Sequence, residues 1–219
     1  YGHHRNLHSF PTRRSSDLVL GVVTNTGAVP ARLDKSGNGT LVVLGDNYRH
    51  DGGTIIRSGT VQLGDYWTKN GVLPGLQGNA GTVSNLGTIL VVNTVDTTIP
   101  GSINGSGSLY QMGWGSTLTL AGTNRYSGNT AGRRGTVELD FSAPTAPGTN
   151  IVGVGSMSPL ILGDLHYTGG TLFMKGASGA GVTNLQIFRS TAVNVGDSYV
   201  RVENGEEAVA VLVVSNVNR

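Results

Sequence analysis

Asp46, Tyr48, His50 and Asp51 bring two carboxylates, a phenol and an imidazole within six residues. Such a set has the chemistry for a metal ligand group or an acid–base pair. Both aspartates, however, fall at turns of a repeated unit, where Asp is favoured because its carboxylate bonds to the nearby backbone. A turn role is therefore expected for both. Asp164, His166 and Tyr167 repeat the grouping and are read the same way. Glu203, Glu206 and Glu207 surround Asn204-Gly205, a hairpin-like turn, and are expected to form a solvated corner. Arg133-Arg134 is a pair of charges in a turn, too short for a nucleic-acid patch. No Gly-x-Ser-x-Gly elbow is present, and Gly176, Gly179 and Gly181 lack the strand–helix setting of a dinucleotide fingerprint. Without cysteine there is neither a disulfide scaffold nor a thiolate metal site. No catalytic, cofactor-binding or metal residue is assigned.

The elements that would carry these residues are short and regular. Gly-Thr-aliphatic triplets recur at Gly39-Thr40-Leu41, Gly53-Thr54-Ile55, Gly59-Thr60-Val61, Gly81-Thr82-Val83, Gly87-Thr88-Ile89, Gly135-Thr136-Val137 and Gly170-Thr171-Leu172. Glycine supplies a turn, and Thr with the aliphatic residue starts an extended run. The chain has 35 Gly and only 13% charged residues, and no stretch sustains a helical apolar period without Gly or Pro. From Gly39 to Gly59 is 20 residues, which suits one coil of three short strands and three corners. Stacked coils place like residues on like, so Thr, Val and Leu recur in phase. About eight to ten coils would make a rod on the order of 40–50 Å long.

Three units stand out, at 36–65, 105–141 and from Leu160. In each a Tyr precedes a glycine turn and a Thr: Tyr48 before Thr54, Tyr126 before Thr130, Tyr167 before Thr171. A Tyr at a fixed corner is expected to pack on the Tyr of a neighbouring coil; an aromatic platform for carbohydrate is the alternative. Residues 66–80 break the pattern as an inserted loop, with Tyr66 and Trp67 exposed. Residues 93–104 read as a polar connector, 142–158 as a Pro/Gly/Ser-rich break, and 182–217 as Val-rich strands with weaker repeat character.

Residues 1–18 (YGHHRNLHSFPTRRSSDL) resemble a reading frame through a sequencing adapter, and are set aside as a non-native, disordered segment. The metal-like spacing of His3, His4 and His8 goes with them. So does the basic balance: removing Arg5, Arg13, Arg14 and Asp17 from 15 Lys+Arg and 13 Asp+Glu leaves 12 of each. A neutral remainder gives no support for binding nucleic acid or an anionic membrane. Residues 19–219 are expected to be an interior fragment of a longer protein, ending soon after the strand-like run Val209 to Val217.

Residues 37–64 and 115–139, and the Tyr-Thr-Gly-Gly-Thr-Leu core in 163–174, resemble the autotransporter-associated β-strand repeat of type V secreted passenger domains. The resemblance implies an all-β fold, a right-handed parallel β-helix (β-solenoid), without the C-terminal β-barrel that exports such proteins. It implies a Gram-negative source, an extracellular or outer-membrane-surface location, and the chain's own translocator barrel as a partner in the full-length protein. The expected function is structural: a passenger segment that displays other parts, is not an enzyme, and needs no cofactor. An adhesive role, through host-surface or cell–cell contacts, is the further expectation, with 66–80 as the contact patch. Two alternatives stay open: a β-helix polysaccharide-cleaving enzyme, which would gather three or more acidic or basic side chains in a groove, and a filamentous adhesin secreted by a separate barrel partner.

Overall fold

A computed structural model describes residues 16–19, 23–24, 32–45, 48–49, 52–72, 82–153, 158–164, 166 and 168–219. The described residues contain strands and turns and no helix. Every strand pairing in them is parallel. The chain is a β-solenoid, as the sequence implied.

The first face is a nine-stranded sheet running from Ser16–Val19 through Thr40–Val43, Thr60–Leu63, Thr88–Val91, Ser108–Gln111, Thr130–Gly132, Leu160–Leu162 and Thr191–Val193 to Val217–Asn218. The second face stacks Thr97–Ile99, Thr117–Leu120, Thr136–Asp140, Thr171–Lys175 and Tyr199–Glu203. The third stacks Leu33–Lys35, Thr54–Ile56, Val83–Asn85, Ile103–Gly105 and Arg125–Tyr126. Beyond Arg125–Tyr126 the third face continues through Ile151, whose carbonyl accepts the Asn124 N–H, to the paired strands Thr183–Phe188 and Val209–Val214. Strands succeed one another in the order third, first, second, so each neighbour in a sheet comes from the next coil.

Alternation along each strand sends one residue of every pair inward. The column Leu41, Val61, Ile89, Leu109 lies in register down the first face, with Val43, Leu63 and Val91 beside it. On the second face Leu118, Val137 and Leu172 form one column and Leu120, Leu139 and Met174 another. All of these residues are buried. In the last coil the same columns end on Val200, Val202 and Val217, which are exposed.

Coil length is uniform only where no corner is enlarged. Thr40 pairs with Thr60 and Thr88 with Ser108, each 20 residues on, as expected. Thr60 pairs with Thr88 and Leu160 with Thr191, 28 and 31 residues on, so these coils are longer. Residues 93–104 are not a polar connector: they hold strands Thr97–Ile99 and Ile103–Gly105, with Ile99 and Ile103 fully buried. The expected break at 142–158 likewise delivers Ile151 and Val152 to the core. Ser16–Leu18, expected to be disordered with the rest of the first eighteen residues, lie in a strand in register with Thr40–Val42. Residues 1–15 lie outside the described residues.

The expected stack of tyrosines does not form where it can be followed. Tyr126 is fully buried and stands in register on Gly105, not on another tyrosine. Gly105 has φ 114°, and a Cβ there would run into the Asn85 carbonyl oxygen, so the glycine is what lets the preceding coil lie so close. Strand Tyr48–Arg49 pairs with Val23–Thr24 in a different sheet, and Tyr167 lies outside the described residues.

Buried amides hold successive coils together at the corners. Asn124 accepts the Ile103 N–H (3.0 Å) and donates to the carbonyls of Gly122 (2.9 Å) and Ile151 (3.1 Å), linking three coils through one side chain. Asn93 does the same with Gly71, accepting its N–H (2.8 Å) and donating to its carbonyl (3.0 Å). Lys35 is buried too, with Nζ donating to the carbonyls of Ser36, Gly37 and Ser58. Buried polar groups are tolerable in a narrow core only when they meet such partners.

Candidate functional site

Asp46, His50 and Asp51 lie outside the described residues, as does the side chain of Tyr48. Asp164 is a turn residue, as expected, but a richer one than its spacing suggested. Its backbone N–H donates to the Thr168 carbonyl (2.9 Å), and its carboxylate accepts the N–H groups of His166 (2.7 Å) and Thr168 (3.2 Å). Arg134 Nε also donates to it at 3.0 Å. Burial pushes this carboxyl's pKa up, but the bonds from Thr168, His166 and Arg134 outweigh it and hold the group well below the usual carboxylate range. Asp164 is therefore a fixed anion, and His166 contributes a backbone donor to it.

Asp65 makes the same turn on another coil. Its N–H donates to the Lys69 carbonyl (3.0 Å), and its carboxylate accepts the N–H groups of Trp67 (3.0 Å), Thr68 (2.8 Å) and Lys69 (2.9 Å). The bonds from Lys69, Trp67 and Thr68 hold its pKa far below the ordinary value. Both turns open on Leu-Gly-Asp at the end of a first-face strand, at 63–65 and 162–164. Gly64 and Gly163 have φ of 92° and 77°, which send the chain outward there. That triplet, also present at 44–46, was the sequence signal for the protruding corner.

The corner between the first and second faces collects aromatic and guanidinium groups from three coils. Trp67 stands on the Asp65 turn, 81% exposed. Tyr66 beside it is half-buried, against the expectation of exposure, with φ 71°; burial raises its pKa and the nearby Arg134 charge draws it back. Trp114, 57% exposed, lies between Gly113 and Gly115. Arg134 lies over the Trp114 ring at 5.2 Å, and Arg133 over the Tyr110 ring at 4.4 Å. Arg133-Arg134 is thus not a bare pair of turn charges: both guanidinium groups rest on aromatic rings of the preceding coil. Tyr110, Trp114 and both arginines as a group were not legible beforehand, because they meet only when coils stack.

The outward side of the second face is a second polar surface. Glu138 pairs in register with Phe173 and Phe173 with Arg201, whose guanidinium lies 4.8 Å over the Phe173 ring. Asp140, Lys175 and Glu203 form the next row, with Lys175 Nζ 3.5 Å from Asp140. Burial raises the Glu138 pKa, helped by the charges of Asp140, Asp96 and Glu203 and opposed by Lys175. Glu203, Glu206 and Glu207 do sit at a solvated corner, but not a hairpin: Tyr199–Glu203 and Val209–Val214 belong to different parallel stacks. Among the described residues no three His, Asp or Glu side chains are grouped to hold a metal ion.

Residues 33–63 and 115–139 match the family model described as Passenger-associated-transport-repeat. Over these two segments the chain is similar to that repeat. No curated protein and no solved structure matches it. The two matched repeats enter the solenoid on different faces: the first lays Thr40–Val43 on the first face, the second lays Thr117–Leu120 on the second. The repeat is therefore a strand-and-turn phrase that is not tied to one face of the coil.

Proposed function

We propose that this chain is a passenger segment of a bacterial autotransporter, a rod that displays surface groups outside the cell. The observation that carries this reading is that both matched segments fold as stacked parallel coils of one solenoid. A passenger must cross the outer membrane unfolded and regain structure outside it. Coil-on-coil stacking suits that route, since each coil needs only its neighbour to bury its inward residues. Absence of cysteine suits it as well, because a crosslink formed early would obstruct threading. The full-length protein would supply its own translocator barrel, and the rod would stand at the cell surface with an adhesive role. Residues 1–18 remain, on this reading, a non-native segment.

The test is export. The natural full-length protein is expressed in a Gram-negative host, and protease is added to intact cells. The segment should be cleaved from outside, and deletion of the downstream barrel should retain it inside. Protection from protease with the barrel intact would refute the reading.

Polysaccharide cleavage keeps one observation in its favour: Glu138, with its raised pKa, shares an outward face with Asp140, Lys175, Arg201 and Glu203. On that reading Glu138 is the proton donor. Release of reducing ends from polygalacturonate, abolished by Glu138→Gln, would establish it; no release by the unaltered protein would remove it.

A further inference from the structure

We propose that the corner between the first and second faces is a glycan-binding surface, on which Trp67 and Trp114 stack against sugar rings of an extended polysaccharide. The chain has two tryptophans, and both stand at this corner with high exposure, 81% and 57%. Exposed indole is costly to leave in water, and an exposed aromatic group rimmed by polar residues marks a contact site.

The neighbours of the two rings point to a sugar rather than to a protein face. Trp67 is followed by Thr68, Lys69 and Asn70, and Trp114 lies between Gly113 and Gly115. Bulky aliphatic side chains do not adjoin either ring in sequence, so the apolar area comes as separate plates set among hydrogen-bonding groups. A pyranose matches that pattern, with C–H bonds on one face and hydroxyls around its rim. The coils that carry the two residues are two apart, since Thr60–Leu63 pairs with Thr88–Val91 and that with Ser108–Gln111. Two coil steps amount to about 9.6 Å along the rod, close to a disaccharide in an extended glycan.

The corner is also held in place before any ligand arrives. Three backbone N–H groups donated to Asp65 hold the turn that presents Trp67. Trp114 is braced by Arg134, which the buried Asp164 carboxylate fixes at 3.0 Å. Arg133 lies beside it, 4.4 Å over the Tyr110 ring. Preorganised aromatic groups bind with little ordering cost.

Glycan binding by the purified chain does not depend on export, so its failure and the failure of surface display are read separately. The chain is run in native gels containing hydroxyethylcellulose, galactomannan or polygalacturonate, and titrated with oligosaccharides of each while tryptophan emission is followed. Because the only tryptophans are at this corner, emission reports on it alone. At least one polysaccharide should retard the chain and shift its emission saturably, and the charged and neutral probes separate a uronate from a hydroxyl ligand. Trp67→Ala and Trp114→Ala should each weaken binding about tenfold with circular dichroism and melting unchanged. Retardation by none of the three, or binding that survives the double substitution, overturns the proposal. Self-association lost in the double variant, without any response to glycan, overturns it in favour of a protein face.

Discussion

Asn124 offers the sharpest test of how the rod is held together. Its side chain is fully buried and joins three coils: it accepts from Ile103 and donates to Gly122 and Ile151, at 2.9–3.1 Å. In Asn124→Ala the Ile103 N–H loses its acceptor, and the two carbonyls each lose a donor. One buried N–H left unsatisfied costs about 1–3 kcal/mol, and with the lost bonds the total should be about 2–4 kcal/mol. Asn124→Asp separates the two halves of the amide. The carboxylate can still accept from Ile103, but it faces the Gly122 and Ile151 carbonyls without a proton to give. Burial and those carbonyls should raise its folded pKa above the unfolded value of about 3.9. The folded state then binds more protons than the unfolded state, so stability falls as pH rises through the folded pKa. Asn124→Asp should be mildly destabilised near pH 4 and severely near pH 7, while the cost of Asn124→Ala should not change with pH. Urea titration gives the total, and hydrogen exchange at the Ile103 amide gives the local opening, which matters because a solenoid need not unfold as one unit. A cost below about 0.5 kcal/mol for Asn124→Ala, or equal costs for Asn124→Asp at both pH values, would refute this account of the corner amide.

Gly105→Ala should destabilise by at least about 2 kcal/mol, since φ is 114° and the new Cβ meets the Asn85 carbonyl; thermal melting reads it. Lys35→Met should cost about 1–3 kcal/mol, because the carbonyls of Ser36, Gly37 and Ser58 lose a shared donor; urea unfolding measures it. Asp65→Ala should leave the global melt nearly unchanged but raise hydrogen exchange at Trp67, Thr68 and Lys69, whose N–H groups it accepts. For Asp164 the folded pKa is depressed, so its stabilisation is present above the ordinary carboxylate range and lost as pH falls toward the folded value. The melting difference between the unaltered chain and Asp164→Asn should therefore shrink between about pH 6 and about pH 2.5.

Much of the fold was legible because the code for it is local. Gly-Thr-aliphatic triplets specify a turn followed by a strand, and the alternation in Thr117–Leu120 and Thr136–Asp140 states which side chains go inward. The site was hardly legible. Trp67 could be picked out from its insertion, but Trp114 lies within a glycine-rich unit that does not mark it. Its significance comes from Arg134, 20 positions later, and Asp164, 30 beyond that, which the stack brings alongside. The tyrosine overlay failed for a related reason. Tyr48 and Tyr126 occupy like places in their phrases, but the phrases enter on different faces, so Tyr126 meets Gly105.

By itself, then, the sequence determined that this chain is a run of short strands and turns with a parallel stack as the outcome. Those choices depend on φ preferences and side-chain alternation within a few residues. Which face each strand occupies, which residue lies above which, and which rings and charges meet at a corner were decided only by tertiary structure. The lengths of the corner insertions set the phase of every later coil, and the hydrogen-bond ladder then locks partners that lie 19 to 35 residues apart.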